Sequence, residues 1–211
     1  MRHAAAASQP LVAFGNPANP ARENLPGAQR EVEVISRLFT APRVFVREDA
    51  SKSRFREVAR AGRILHIAAH AEVDDLDPLQ SRILFAEERD DAGFLDAREV
   101  YGVDLTGVSL VTLSACESGL GRIARGDEIL GFTRSFLTAG ASALLVSLWP
   151  VADNSTELLM TNFYDRFSKG TPAIDAMRAS QLAVLRTPRF AHPFFWAPFN
   201  LIGDWRLALP T

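Results

Sequence analysis

The sequence predicts an α/β fold, a three-layer α/β/α arrangement with a mainly parallel central sheet. Short, continuous apolar runs recur along the chain, which is typical of strands that are covered on both faces. Segments with helical periodicity separate these runs, and strands that alternate with helices favour a parallel sheet. No internal repeat or change in composition divides the 211 residues, so we expect one domain with a full core.

The predicted strands are apolar runs that end at turn or helix signals. In chain order they span residues 11–14, 43–46, 64–68, 82–85, 110–114, 143–148 and 199–202. The run at 82–85 is interpreted as a short extra strand. The other six are predicted to build the main sheet.

The helices are predicted from apolar residues spaced three or four positions apart and from capping residues at their ends. In chain order they span residues 27–39, 51–59, 96–102, 128–139, 154–170 and 171–185. Ser51 and Asp96 are expected N-caps, and Pro172 is expected at the first helical position. Gly140 and Gly170 are expected to end helices in the left-handed conformation.

Composition and charge exclude several classes of protein. The formal net charge is −2 and no strongly basic block occurs, so neither nucleic acid nor an anionic membrane is expected as a direct partner. The single cysteine cannot form an internal disulfide, and the start of the chain lacks the apolar core of a secretion signal, so a cytoplasmic location is predicted. Residues 135–152 are uncharged, but Gly140 divides them into a helix end and a strand, so no membrane segment is predicted.

Polar residues follow three of the predicted strands. His70 follows the third strand, Cys116 follows the next long strand, and Asp153 follows the one after. The carboxyl ends of parallel strands lie at one edge of the sheet, where such folds bind their ligands. These three residues are therefore expected to converge.

A cysteine beside a histidine indicates nucleophilic catalysis without a metal or organic cofactor. His70 can take the proton of the Cys116 thiol and later protonate a leaving amine. The backbone amides of Cys116 and of Ala71 or Glu72 are candidate donors to an oxyanion. The carboxylate of Asp153 would select a lysine or arginine side chain in the substrate, or would cap the helix that follows.

For the cysteine and for two of the histidines, a structural role is the alternative to a catalytic one. A free cysteine is often a buried, inert residue, and Cys116 alone does not decide between the two roles. His66 lies within a strand and is interpreted as a structural or supporting residue. His192 precedes a proline in an aromatic run and is also interpreted as structural.

Two motifs are interpreted as surface features. The glycine-containing stretch 119–126 lacks the Gly-Lys-Ser/Thr ending of a phosphate loop, so a mobile loop beside the site is expected. The carboxylates Asp74, Asp75 and Asp77 lack the ordered spacing of metal ligands and are expected to face solvent.

Five stretches along the chain form an ordered set of motifs. They read LPGAQREVEVI, ILHIAAHA, LVTLSACESGLG, GFTRSFLTAGASALLVSLWPVAD and HPFFWAPFNLIG, beginning at residues 25, 64, 110, 131 and 192. In this order they resemble the CHAT domain, a relative of caspases and separase. The resemblance covers about residues 10–206. It leaves residues 1–9 as a flexible N-terminal segment and residues 207–211 as a C-terminal tail.

The resemblance implies a caspase-like fold and a Cys–His peptidase dyad formed by Cys116 and His70. Asp153 matches the aspartate that lines the pocket for a basic residue in separase-like relatives. Glu117 and Asp127 are weaker candidates for the same pocket.

Two features depart from the family pattern. Ala71 stands where many members have glycine, which keeps the amide but restricts the backbone at that oxyanion donor. The chain contains no helical repeat of the kind that commonly accompanies CHAT domains. It is therefore expected to be a bare protease domain, either a fragment or a stand-alone effector.

The predicted function is that of a cysteine endopeptidase that cuts protein or peptide substrates after a basic residue. The family context implies an effector in prokaryotic signalling or defence, activated by a sensor protein or a tetratricopeptide repeat (TPR) domain. One alternative is a CHAT-fold interaction module that cuts nothing. Another is a different Cys–His acyl-transfer enzyme, such as an amidase.

Overall fold

A computed structural model describes residues 9–74, 76–114, 116–117, 129–149 and 153–210. At residues 9–10, 116–117, 129–130 and 153 it describes the backbone only. The strands in these ranges are β1 (Gln9–Pro17), β2 (Arg43–Arg47), β3 (Gly62–Ala68), β4 (His70–Glu72), β5 (Arg82–Leu84), β6 (Phe94–Asp96), β7 (Leu110–Leu113), β8 (Cys116–Glu117), β9 (Ala143–Ser147) and β10 (Phe199–Gly203). The α-helices are α1 (Pro26–Ser36), α2 (Lys52–Val58), α3 (Ala97–Val100), α4 (Ile129–Thr138), α5 (Asp153–Phe167) and α6 (Ala173–Leu185).

The main sheet is mainly parallel, as predicted. Its strand order is β10-β9-β7-β3-β1-β2. All neighbours run parallel except β10, which runs antiparallel to β9. Each of these six strands coincides with a predicted apolar run.

A second, smaller sheet has the order β6-β5-β4-β8. β4 and β8 run parallel, whereas β5 is antiparallel to both of its neighbours. Only β5 was predicted, because it continues into the apolar run at residues 83–85, whereas β4, β6 and β8 are two or three residues long and include polar residues. This sheet lies beyond the carboxyl ends of β3 and β7, since β4 follows β3 after Ala69 and β8 follows β7 after two residues.

Two apolar cores cover the two faces of the main sheet. Along β1, Val12 and Phe14 belong to the core that α2, α3 and α4 complete, whereas Leu11 and Ala13 belong to the core of α1, α5 and α6. Successive side chains of a strand point to opposite faces, so a continuous apolar run feeds both cores. The three-layer α/β/α prediction is confirmed.

The helix ends follow the predicted capping residues closely. The Ser51 side chain accepts a hydrogen bond from the Arg54 N–H at 3.3 Å. The helix after Asp96 begins as predicted, and φ at Gly140 and Gly170 is 113° and 84°. These positive angles are the left-handed conformation that ends a helix at little cost for glycine.

Most helix boundaries differ from the prediction by one to three residues, and α1, α6 and α5 provide examples. α1 ends at Ser36 instead of residue 39, but Leu38 and Phe39 still pack on the core through tight turns. α6 begins at Ala173, so Pro172 is its N-cap residue. α5 begins at Asp153, one residue earlier than predicted.

Among the helices in the described ranges, none is both long and apolar enough to cross a membrane.

Candidate active site

The second sheet brings the backbones of His70 and Cys116 together. In the parallel pair of β4 and β8, His70 is the register partner of Cys116, and Ala71 is the partner of Glu117. Neighbouring strands lie roughly 4.8 Å apart. The histidine and the cysteine are therefore adjacent in space, although 46 positions separate them in the sequence.

The His70 imidazole is buried and is oriented by one hydrogen bond. His70 is 8% exposed, and its Nε2 lies 2.8 Å from the Glu23 carbonyl oxygen. A carbonyl oxygen can only accept, so Nε2 carries the proton and Nδ1 of the neutral ring is unprotonated. Nδ1 is buried and has no partner among the residues that the structure describes. It is therefore the ring nitrogen that can receive a proton.

The loop between β1 and α1, which carries Glu23, is anchored by two side chains that precede that residue. The Asn19 amide donates to two backbone carbonyls of the β5–β6 connection, each at 2.9 Å. Arg22 forms an ion pair with Glu72, which lies two residues after His70. The Glu72 carboxylate also accepts from Arg82 Nε at 2.5 Å. These contacts hold the Glu23 carbonyl against the imidazole.

The structure describes the other predicted site residues to different degrees. Ala71 lies in the interior of the second sheet, paired with Ile83 on one side and Glu117 on the other. Asp153 is the first residue of α5 and follows β9, the neighbour of β7 in the main sheet. At Glu117 and Asp153 only the backbone is described, and Asp127 lies outside the described residues.

His66 and His192 have the surroundings expected of structural residues. His66 is fully buried in β3, with Nδ1 3.0 Å from Tyr164 Oη. Its Nε2 lies 3.0 Å from Glu31 Oε1, at an angle outside hydrogen-bond geometry. Tyr164 Oη lies 2.7 Å from Thr112 Oγ1, and burial raises the pKa of the Tyr164 hydroxyl, so it remains a donor.

His192 is exposed and its Nδ1 accepts a backbone N–H at 3.2 Å within its own turn.

Glu31 extends these contacts to the strand that leads to Cys116. Its Oε2 accepts a hydrogen bond from Ser114 Oγ at 3.2 Å. We refer to Glu31, His66, Thr112, Ser114 and Tyr164 as the buried polar network. Its members come from α1, β3, α5 and the end of β7.

Sequence reasoning missed the residues that orient the site. Glu23 acts through its main-chain carbonyl, so no residue type could have indicated its role. Glu31 did carry a signal, because it is a charged residue four positions before Ile35 on the buried face of α1. The ion pair between Arg22 and Glu72 crosses 50 positions and has no local signature.

The acidic loop after β4 is held by its own hydrogen bonds. Asp74 accepts backbone N–H groups from Leu76 and Asp77, and the bond from Asp77, followed by that from Leu76, lowers the pKa of the Asp74 carboxyl. Within the described part of the chain, no group of His, Cys, Asp or Glu is arranged to hold a metal ion. Asp75 and the stretch 119–126 lie outside the described residues.

Solved structures with a similar architecture define the class of this fold. The chain is similar to gingipain R (RGPB), an Arg-specific cysteine proteinase, with a TM-score of 0.60 over 94% of this chain and 47% of that chain, at 10% identity. It is also similar to protein GSU0716 from Geobacter sulfurreducens, with a TM-score of 0.52, 15% identity and coverage of 96% and 95%. The protein has the caspase-like fold of the gingipain cysteine proteinases.

The family within this class follows from the sequence match. The family model of the CHAT domain matches residues 1–204, and the chain belongs to the CHAT domain family. It is 31% identical over 182 residues to Tetratricopeptide repeat protein 28 of Mus musculus and of Homo sapiens. The match covers 84% of this chain but only 7% of each relative.

Proposed function

We propose that this CHAT domain is a cysteine endopeptidase in which Cys116 is the nucleophile and His70 is the general base and acid. The observation that carries the proposal is the in-register pairing of these two residues beyond the carboxyl edge of the main sheet. The buried, carbonyl-oriented imidazole supports it, because a catalytic histidine needs one nitrogen fixed and the other free to exchange a proton.

The chemistry proceeds through a thioester. The Cys116 thiol transfers its proton to His70 Nδ1, and the sulfur attacks the carbonyl carbon of the scissile peptide bond. The imidazolium keeps its Nε2–H on the Glu23 carbonyl, which stabilises the positive charge. His70 then gives the proton to the leaving amine as the C–N bond breaks. Water, deprotonated by His70, hydrolyses the thioester and restores the thiol.

The developing oxyanion requires backbone donors close to the reacting carbon. We assign this role to the amides of Cys116 and Ala71, which lie beside the dyad on β8 and β4. Ala71 is paired with a strand on each side. Its N–H can therefore donate to an oxyanion only if it makes no hydrogen bond within the sheet when the substrate is bound.

The proposed test is cleavage of a peptide library by the purified chain and by the Cys116→Ala variant. We expect cleavage by the unmodified chain and none by the variant, because the variant lacks the nucleophile. Mass spectrometry of the products identifies the bonds that are cut. Cleavage that persists in Cys116→Ala would contradict the proposal. Hydrolysis of small amides without cleavage of any peptide would favour an amidase.

The tetratricopeptide repeats named in the mammalian relatives suggest how the domain is controlled. We propose that a repeat array, in the same polypeptide or in a partner, acts as the activating sensor. If the isolated chain cuts nothing in the library, addition of such an array distinguishes a latent peptidase from a non-catalytic interaction module. A peptidase gains cleavage that depends on Cys116, whereas an interaction module binds the array without cleavage.

We further propose that Asp153 selects a basic residue before the cut, with Glu117 and Asp127 as secondary acidic contributors. The position of Asp153 at the start of α5, the helix that follows β9 in the chain, supports this role. We expect Asp153→Asn to lower cleavage after arginine or lysine by about tenfold or more, since a lost charge pair of ~1.4 kcal/mol corresponds to tenfold. Library profiles of the variant and of the unmodified chain measure this ratio.

Asp165→Asn is the matched control for Asp153, because Asp165 lies on the same helix and pairs on the surface with Lys169 at 2.6 Å. Its library profile is expected to match that of the unmodified chain. A uniform loss at all substrates in Asp153→Asn would instead assign the carboxylate to helix capping.

A further inference from the structure

Glu31 has an unusual position for an acidic residue. Among the described residues it is the single carboxylate with a buried side chain, at 4% exposure. Removing a carboxylate from water costs several kcal/mol unless partners compensate. Its contacts therefore indicate what this charge-bearing group does in the fold.

One oxygen of Glu31 holds the chain just before the proposed nucleophile. Ser114 directly follows β7 and precedes Cys116 by two residues. Its N–H donates to the Ile67 carbonyl at 2.9 Å, and its Oγ donates to Glu31 Oε2 at 3.2 Å. The main chain of Ser114 is thus tied to β3, and its side chain is tied to α1.

The other oxygen of Glu31 faces the remainder of the buried polar network. One consistent assignment of hydrogen-bond donors and acceptors has every donor pointing in the same direction along the network. Thr112 donates to Tyr164, Tyr164 donates to His66 Nδ1, and the protonated Nε2 of His66 faces Glu31 Oε1. The chain of donors leads toward Glu31 Oε1, the oxygen that Ser114 does not contact, although His66 Nε2 and Oε1 lie outside hydrogen-bond geometry. All of these side chains are buried.

We infer that Glu31 is a positioning residue for Cys116. Through Ser114 it fixes the point at which the chain leaves β7 and crosses to β8, and hence the position of the Cys116 backbone opposite His70. The inference rests on the proposed function in one respect, namely that the positioned cysteine is the nucleophile. Loss of the Glu31–Ser114 contact would loosen this crossing without removing any reacting group.

The test uses the single cysteine as its own reporter. Alkylation by iodoacetamide, followed by intact-mass measurement across a range of pH, reports the reactivity of Cys116 without any substrate. We expect Ser114→Ala and Glu31→Gln to shift the pH profile of alkylation toward that of His70→Ala, with a rate change of about tenfold near neutral pH. Displacements of ~1 Å can change the rates of alignment-dependent reactions by up to ~100-fold.

Ser180→Ala is the matched control, because Ser180 is a buried serine whose hydroxyl, among the described residues, bonds within α6 to the Ala176 carbonyl at 2.7 Å. Its alkylation profile is expected to equal that of the unmodified chain. Circular dichroism of each variant monitors folding. A merely structural role for Glu31 would lower the melting temperature and leave the pH profile unchanged. If Glu31→Gln does not fold, Ser114→Ala decides the test.

The outcomes separate this inference from the proposed function. If His70→Ala slows alkylation but Ser114→Ala and Glu31→Gln do not, the positioning role is wrong and the dyad stands. If Ser114→Ala and Glu31→Gln change alkylation but His70→Ala does not, the dyad is wrong and the positioning role stands. Equal changes in all variants, Ser180→Ala included, or no change in any of them, overturn the inference.

Discussion

Replacement of His70 by alanine is expected to lower peptide cleavage by about 10²- to 10⁴-fold, the usual contribution of a positioned general acid and base. The physical reason is that the thiol loses its proton acceptor and the leaving amine loses its proton donor in the same substitution. The buried His70 Nδ1 is the atom whose loss matters, because Nε2 is engaged by the Glu23 carbonyl. Steady-state kcat/KM on the best library peptide measures the effect.

His192→Ala is the matched control for this variant. His192 is exposed, and in the described part of the chain its side chain accepts a hydrogen bond within its own turn, so its removal is expected to leave kcat/KM unchanged. A His70→Ala variant that keeps full activity would show that another group activates the thiol. Activity regained by added imidazole in His70→Ala would identify the missing group as the ring itself.

Replacement of Phe14 by alanine is expected to lower the free energy of unfolding by about 3 to 5 kcal/mol, the range for a deleted core phenylalanine. Phe14 is fully buried in β1, the strand between β2 and β3. Its ring centroid lies 5.1 Å from Phe45, 6.1 Å from Phe55 and 5.5 Å from Phe85. The substitution leaves a cavity among three aromatic rings that cannot close without moving the sheet or α2. Urea unfolding followed by circular dichroism measures the change.

Phe194→Ala serves as the control for the loss of an aromatic side chain. Phe194 is 44% exposed, and among the described residues its ring packs edge-on against Phe195, so its loss is expected to cost less than about 1 kcal/mol. The slope of free energy against urea should stay the same in both variants if the unfolding remains two-state. A Phe14→Ala cost no larger than that of Phe194→Ala would mean that this core repacks freely.

The main sheet could be predicted because its strands are long enough to show their pattern. Val12 and Phe14 on one face and Leu11 and Ala13 on the other make β1 apolar throughout, which is the mark of a strand covered on both sides. The capping residue Ser51 and the helix-ending Gly140 also act within a few positions of the chain. In the small second sheet only β5 continues into an apolar run, because β4, β6 and β8 are two or three residues long and include polar residues.

The neighbourhood of His70 and Cys116 could be predicted in part, because both residues follow strands of a parallel sheet. The carboxyl ends of parallel strands lie at one edge of the sheet, which brings both residues to one side of the molecule. Their pairing in one register, however, depends on β4 and β8, which form only when β3 and β7 are neighbours.

The sequence by itself determined the class of fold, the six strands of the main sheet and the residue types available for catalysis, since these depend on patterns with periods of two or 3.6 residues. Only the tertiary structure decided which groups orient them. The bond of His70 to Glu23 crosses 47 positions, that of Ser114 to Glu31 crosses 83, and that of His66 to Tyr164 crosses 98. Such contacts depend on strand order and helix packing, and one partner is a backbone carbonyl, which every residue type possesses. For that physical reason local sequence patterns cannot specify them.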